Sequence, residues 1–164
     1  MIFLTVGTQY PFERLVRAID EIVGRTGVDE EVFAQIGDSS YQPQNFEAVS
    51  SLEKNVFDKH LKEASSVISH AGIGTITVAL DNNKPLLVMP RLKKYGEVVN
   101  DHQVAIVKRF EILGHILVAY ETEELPTKIK QLKKFVPCRR EAQHQELEER
   151  IAQFLNDLSK KGRG

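Results

Sequence analysis

Short apolar runs that alternate with stretches of helical period are the feature that most restricts the fold of this chain. The runs at residues 2–6, 32–36, 67–69 and 86–89 are each closed by glycine, by a polar turn or by proline. The first is followed by apolar residues at helical spacing between 12 and 23. Such alternation favours a parallel sheet, because parallel strands need helical crossovers. The sequence therefore predicts an α/β fold with a parallel sheet.

The remaining segments extend this pattern. Helices are expected from about Gly74, at 101–110 and at 125–135, and an edge or late strand is expected at 116–119. The polar segment 39–51 predicts a loop with a short strand at 46–49. No internal repeat is visible, so a solenoid is not indicated.

Length and composition predict one domain followed by a tail. The 164 residues, of which 41% are hydrophobic and 27% charged, suffice for one ordinary core. Pro137 interrupts the pattern, so we expect a domain at 1–136 and a C-terminal amphipathic helix and tail at 137–164. The apolar face of that helix either packs on the chain's own sheet or docks a partner. It consists of Leu147, Ile151, Phe154, Leu155 and Leu158.

Charge and cysteine content exclude several classes of protein. The net charge of −1 does not support a general nucleic-acid binder. Cys138 is the only cysteine, so a disulfide framework and a cysteine-based metal cluster are both excluded. The first residues lack the pattern of a signal peptide, which predicts a cytoplasmic location. No apolar stretch approaches the roughly 20 residues that span a bilayer, so any membrane attachment is expected to come through another molecule.

The stretch VISHAGIGTITVAL, residues 67–80, predicts a strand that turns directly into a helix. Gly72 and Gly74 let a phosphate approach the backbone amides at the helix start, where the dipole is positive. Thr75 offers a hydroxyl and His70 a ring N–H. The motif is not a P-loop, and Thr77 replaces the third glycine of a dinucleotide fingerprint. The alternative is a tight turn in which His70 is a structural cap.

A second polar segment, PRLKKYGEVVNDHQ at residues 90–103, follows the next predicted strand and opens on the same edge of the sheet. Five of its side chains carry hydrogen-bond donors and acceptors that suit sugar hydroxyls: Glu97, Asn100, Asp101, His102 and Gln103. Its three basic side chains could neutralise phosphates: Arg91, Lys93 and Lys94. The alternatives are a solvated loop for the basic residues and helix capping for Asn100 or Asp101.

Four segments together resemble a known family. FLTVGTQYPFERLVRAID, AQIGDSSY, ISHAGIGTITVALDNNKPLLVMPR and GEVVNDHQ are similar, in order and spacing, to the donor-binding subunits of two-component glycosyltransferases of family 28. That family includes the cytosolic subunit of the eukaryotic dolichol-linked N-acetylglucosaminyltransferase and bacterial exopolysaccharide or capsule counterparts. The resemblance extends to about residue 120. It implies a Rossmann-like domain, similar to the C-terminal half of a GT-B glycosyltransferase, that binds a UDP-sugar.

The resemblance also implies roles for individual positions. His70, Gly72, Gly74 and Thr75 would hold the diphosphate, while Glu97, Asn100, His102 and Gln103 would face the sugar or shape its pocket. Gly7 and Thr8 would border the cleft. Val78 stands where many larger relatives have a glutamate that binds the ribose, so no residue is assigned to the ribose.

The implied function is a donor-binding, catalytic-side subunit of a hexosyltransferase that acts on a polyprenyl-diphosphate-linked acceptor. A membrane-anchored subunit would supply the acceptor-binding half, and no metal or other cofactor is required. In the absence of the membrane-anchored subunit, exposed apolar surface could drive the chain into a homo-oligomer. The general base is not identified. Two alternatives remain: a nucleotide-binding regulatory module without transferase activity, and a sugar-nucleotide epimerase, which would need a dedicated base in the cleft.

Overall fold

The centre of the molecule is a six-stranded parallel sheet. The computed structural model describes residues 1–26, 28–139, 149–153 and 156–157. Within these ranges the strands are β1 (Ile2–Thr5), β2 (Val32–Gln35), β3 (Glu47–Val49), β4 (Ser66–His70), β5 (Leu86–Met89) and β6 (Leu117–Val118). Their order is β3-β2-β1-β4-β5-β6, and every neighbouring pair is parallel. The predicted α/β fold with a parallel sheet is confirmed.

Five α-helices within residues 1–139 cover the two faces of this sheet. They are α1 (Glu13–Thr26), α2 (Lys54–Glu63), α3 (Ile73–Asp81), α4 (His102–Ile112) and α5 (Leu125–Leu132). Short 3₁₀ turns occur at Lys93–Tyr95 and Thr122–Glu124. None of the helices in the described ranges is long and apolar enough to cross a membrane.

Alternating side chains of the strands build a core on each face. In β1, Leu4 points into the cluster formed with α1 and α5, whereas Phe3 belongs to the cluster formed with α2, α3 and α4. Leu15 of α1 and Ile76 of α3 are both fully buried, one on each face. Burying a side chain of this size contributes about 2 kcal/mol, so the two layers of helices hold the strand ends in fixed positions.

The order of the strands reverses direction next to β1. The chain builds outward from β1 to β2 and β3, and it then returns to build β4, β5 and β6 on the other side of β1. Consequently β1 and β4 are neighbours, with Thr5 paired to Ser69, and the helices that follow them, α1 and α3, pack on different faces of the sheet. Open α/β sheets bind ligands in the crevice at this switch point, beyond the carboxyl ends of the strands.

Some predicted elements differ from the structure. Helix α2 was not predicted, because only Phe57 and Leu61 give its ten residues an apolar stripe. The predicted helix at 125–135 ends at Leu132. The predicted short strand at 46–49 and the strand at 116–119 are confirmed as the two edges of the sheet.

The predicted C-terminal helix is described only in part. Residues 149–153 and 156–157 are helical. Ala152 is buried, whereas Ile151, which belongs to the expected apolar face, is 41% exposed. The other four positions of that face lie outside the described residues. The domain boundary after residue 136 therefore stays a prediction.

Candidate functional site

Three segments of the chain meet at the carboxyl edge of the sheet around the switch point. They are the loop after β1 (residues 6–12), the turn after β4 (residues 70–75) and the loop after β5 (residues 90–101). Pairing of Thr5 with Ser69 and of His70 with Met89 places the three strand ends side by side. The expected convergence of the two motifs at one edge is confirmed.

The imidazole of His70 fills the space between two glycines. A Cβ atom at position 72 would lie 2.1 Å from Nε2 of His70, and one at position 7 would lie 2.9 Å from its Cε1. Gly7 also has a φ of +75°, a left-handed conformation that side chains disfavour. The absence of a side chain at Gly72 therefore leaves space for the His70 ring. A bulky residue at position 72 would displace this ring, whether or not a ligand is bound.

His70 is uncharged at neutral pH. Burial, followed by the positive charge of Arg91, lowers the pKa of His70 to about 4. Its Nδ1 lies 3.5 Å from the carbonyl oxygen of Thr5. Since a carbonyl only accepts, this contact requires the proton on Nδ1 and leaves a lone pair on Nε2. Donation from Nε2 to a phosphate, as the sequence suggested, thus requires a second proton or the loss of the contact with Thr5.

The start of helix α3 is open to an anion. Gly72 is the N-cap residue, and no side chain caps the helix or brings an acidic group to its first turn. The first amides of any α-helix lack intrahelical acceptors, and they carry the positive end of the dipole. Gly74 is exposed, and a Cβ atom there would meet nothing within 4 Å. Thr75 is half-buried in the same turn. Backbone amides can therefore reach a phosphate here.

Arg91 is buried at this edge and holds the loop after β1. The residue is only 4% exposed, and its Nη2 donates to the carbonyl oxygens of Val6 (2.9 Å) and Tyr10 (2.7 Å). Its guanidinium lies 4.9 Å from the centre of the Phe12 ring. Burial lowers the pKa of Arg91 to about 10, so the side chain is still a cation at neutral pH. The sequence suggested phosphate neutralisation, but Nη2 is engaged with loop carbonyls, and Nε is buried without a hydrogen-bond partner among the described residues.

Glu97, which was expected to face the sugar, is also engaged within the fold. Its carboxylate accepts hydrogen bonds from Arg14 Nε (2.7 Å), Arg14 Nη2 (2.9 Å) and the backbone N–H of Leu92 (2.9 Å). Arg14 was missed by the sequence analysis. The one signal for it is a cation in the first turns of a helix, where the dipole disfavours positive charge.

The other expected sugar-facing residues lie near the start of α4. Gln103 Oε1 accepts the backbone N–H of Arg91 at 3.1 Å, and Asn100 Oδ1 accepts that of His102 at 3.3 Å. Asn100, the residue before the N-cap Asp101, thus accepts the first amide of α4, and Asp101 itself makes no side-chain cap hydrogen bond. Asp101 instead accepts the backbone N–H of Lys93 at 2.7 Å. Thr8 and His102 are exposed to solvent at the edge of the site.

The two lysines of this loop are exposed. Lys94 forms an ion pair with Glu121, which lies after β6, and Tyr95 donates its hydroxyl to the same carboxylate at 2.9 Å. The pKa of Glu121 is lowered chiefly by the hydrogen bond from Lys94. Lys94 is therefore already neutralised within the fold.

Fold and site together define a doubly wound α/β domain with a glycine turn and an uncapped helix start at its switch point, an arrangement typical of nucleotide-phosphate binding. The chain matches the model of the "Glycosyltransferase family 28 C-terminal domain" over residues 1–160, and it belongs to this family.

Relatives and solved structures agree with this membership. The chain is 31% identical over 123 residues to the mouse (Mus musculus) UDP-N-acetylglucosamine transferase subunit ALG13, which covers 70% of the chain and 10% of that protein. It therefore spans about a tenth of the length of this relative.

Solved structures share the fold at lower identity. An NMR solution structure of ALG13 has a TM-score of 0.56 at 20% identity and covers 83% of this chain and 87% of that one. The crystal structure of the glycotransferase of kitacinnamycin has a TM-score of 0.61 at 17% identity and covers 95% of this chain but 39% of that chain. The fold is that of the C-terminal half of GT-B glycosyltransferases.

Proposed function

We propose that this chain is the donor-binding subunit of a two-component hexosyltransferase. In this proposal it binds a UDP-sugar, and the sugar is transferred to a polyprenyl-diphosphate-linked acceptor. Membership of glycosyltransferase family 28 supports the reaction class. The name of the mouse relative, a UDP-N-acetylglucosamine transferase subunit, supports the kind of donor and the need for a second subunit.

The observation that carries the proposal is the open start of α3 at the switch point. Gly74 leaves space above the first turn, and neither a cap nor an acidic side chain competes with an anion there. The diphosphate of the donor fits this position, with Thr75 supplying a hydroxyl and His70 lying beside the turn. Gly7 and Thr8 then border the cleft, and Asn100, His102 and Gln103 lie on the side of the sugar.

The chemistry follows from where negative charge develops. An acceptor hydroxyl attacks the anomeric carbon and gives up its proton to a general base that no residue of this chain is assigned to. The bond to the diphosphate oxygen breaks, and UDP leaves with an additional negative charge. Donors that are already oriented toward that charge stabilise the transition state without reorganising. The amides of α3 are such donors, and the buried cation of Arg91 adds positive potential at the same edge of the sheet.

The second subunit supplies the other wall of the cleft. The match covers 39% of the kitacinnamycin glycotransferase, which supports a proposal in which this domain forms one side of the cleft. We propose that a membrane-anchored partner carries the acceptor-binding half and thereby holds this chain at the cytosolic face of a membrane. Closure of the two halves would position the acceptor and exclude water.

Calorimetry with paired ligands tests the donor site. UDP is expected to bind at least about tenfold more tightly than uridine, because uridine lacks the diphosphate. Gly74→Val should abolish this difference, since a Cβ atom at position 74 meets no protein atom within 4 Å and the valine side chain would occupy the space for the phosphate. A helical valine is tolerated better than glycine, so the variant should fold. Equal affinities for UDP and uridine in the wild-type protein would refute the site.

Product analysis tests the two-component activity. The chain alone and the chain with partner-containing membranes are each given a UDP-sugar and a lipid-linked acceptor. Transfer is expected only, or mainly, with the partner. Full-rate transfer by the chain alone would contradict the need for a second subunit. Nucleotide binding without transfer under any condition would favour a regulatory module.

A further inference from the structure

An ion pair joins helix α1 to the loop after β5. Arg14 and Glu97 meet through two parallel hydrogen bonds of 2.7 Å and 2.9 Å, and their side chains are only 15% and 11% exposed. Exposed ion pairs contribute little to stability, but a partly buried pair with fork geometry is strong and directional. This pair can therefore fix the relative position of the two segments.

The loop folds around the Arg14 guanidinium. Arg14 Nη2 also donates to the carbonyl oxygen of Pro90 at 3.2 Å, which is the first residue of the loop. The ring of Tyr95 lies 4.4 Å from the guanidinium carbon. Glu97 in turn accepts the backbone N–H of Leu92 at 2.9 Å. Arg14 thus contacts the beginning, the middle and the end of segment 90–97.

The same segment orients the residues that follow it. The adjacent backbone amides of Arg91 and Leu92 donate to Gln103 and Glu97 respectively. A shift of segment 91–92 would therefore move Gln103, which we place beside the donor sugar. The Glu97 carboxylate already accepts three hydrogen bonds within the fold, two from Arg14 and one from the backbone N–H of Leu92, so most of its acceptor capacity serves the loop.

We propose that Arg14 and Glu97 act as a pair of positioning residues for the sugar of the donor. The pair holds segment 90–97 so that Gln103 meets the sugar, and Glu97 itself does not touch the ligand. This inference rests on the proposed function. It assigns a role to Arg14, and it gives Glu97 a role different from the direct sugar contact that the family resemblance implies.

A double-mutant cycle with neutral substitutions separates positioning from direct contact. Arg14→Met and Glu97→Gln are each expected to weaken binding of a UDP-sugar at least about fivefold and binding of UDP less than about twofold. The double variant should bind like the weaker of the two single variants, because both changes remove the same interaction. General loosening of the fold would instead weaken UDP and UDP-sugar equally.

A remote ion pair provides the matched control. Lys133, which directly follows α5, forms an ion pair with Asp29, which precedes β2, and Lys133→Met with Asp29→Asn should leave both affinities unchanged. UDP binding and thermal melting of every variant confirm that the protein is folded.

Several outcomes would overturn the inference. If the losses of affinity for UDP-sugar multiply in the double variant, Glu97 contacts the sugar independently of Arg14. If neither single variant changes that affinity, the pair does not position the loop. If the wild-type protein binds UDP but no UDP-sugar even with its partner, the proposed function fails as well. Failure of the proposed function is thus distinguished from failure of this inference alone, because it is seen in the wild-type protein as well as in the variants.

Discussion

The turn after β4 and the loop after β5 lie side by side at the same edge of the sheet, but they are held in different ways. The turn depends mainly on neighbours in sequence, since the ring of His70 packs over Gly72 and α3 begins at the next residue; its distant contacts are those of the His70 ring with Gly7 and Thr5. The loop depends on distant partners. Glu97 binds an arginine 83 residues away, and Arg91 binds the carbonyl oxygen of Val6, 85 residues away.

This difference corresponds to the different roles that we propose for the two segments of the site. The turn presents backbone amides, whose positions follow from the start of a helix and change little with side chains. The loop presents side chains, whose positions depend on how α1 packs beside β5. Diphosphate binding should therefore tolerate substitutions far from the turn, whereas sugar recognition should be sensitive to changes on α1.

The largest expected effect is that of Arg91→Met. The substitution removes two hydrogen bonds from a buried cation to Val6 and Tyr10, and bonds to charged groups contribute roughly 1.5–3 kcal/mol each. Removal of the buried charge offsets part of that loss. We expect the free energy of unfolding to fall by about 2–3 kcal/mol in urea denaturation at pH 7.

Arg91→Lys serves as the control for Arg91→Met. It keeps the charge but lacks the planar guanidinium that lies by the Phe12 ring and places Nη2 between the two carbonyls, so its stability should be intermediate. A methionine variant as stable as the wild type would show that the loop after β1 does not depend on this residue, and the contrast between local and distant support would fail.

The turn itself is sensitive to pH. The pKa of His70 is about 4 in the folded protein and about 6.5 in an unfolded chain. Between these values the unfolded state binds more protons, so stability falls as the pH falls from 7 to 5. The expected loss from His70 is roughly 1–2 kcal/mol, since one unit of pKa corresponds to about 1.4 kcal/mol.

Comparison with His70→Gln isolates this contribution. Glutamine does not titrate, so the variant should lose less stability than the wild type over the same pH interval. Chemical denaturation at pH 7, 6 and 5 measures both proteins. Parallel pH profiles would mean that His70 is as accessible to protons in the folded state as in the unfolded state, and its packing between Gly7 and Gly72 would be disproved.

The same contrast explains what the sequence could predict. The turn was recognisable from residues 67–80 alone, because strand, glycines and helix are contiguous there. In the loop the residue types were recognised, but the surroundings of Arg91 and Glu97 were not. Their partners at Val6, Tyr10 and Arg14 come close only through the pairing of β1 with β4 and of β4 with β5.

Two further features needed the structure. The fully buried surface of α2 is small, with Leu61 as its one buried residue, so its period was too weak to predict a helix. The reversal of strand order beside β1 cannot be read from alternation of strands and helices, since that alternation is compatible with several orders. The crevice between the first two segments of the site follows from this reversal.

The smallest expected effect on stability distinguishes two glycines that both lie in helices. Gly74→Ala should raise the free energy of unfolding by about 0.5–1 kcal/mol, because alanine restricts the unfolded chain and meets no atom within 4 Å here. Gly24→Ala in α1 is the matched control. A Cβ atom there would lie 2.9 Å from Nδ2 of Asn45, so the gain should be reduced or lost. Calorimetry should show weaker UDP binding for Gly74→Ala and unchanged binding for Gly24→Ala. A stabilised Gly74→Ala protein with unaltered UDP affinity would show that the space above α3 is not where the diphosphate binds, and the turn would then be a structural element like any other start of a helix.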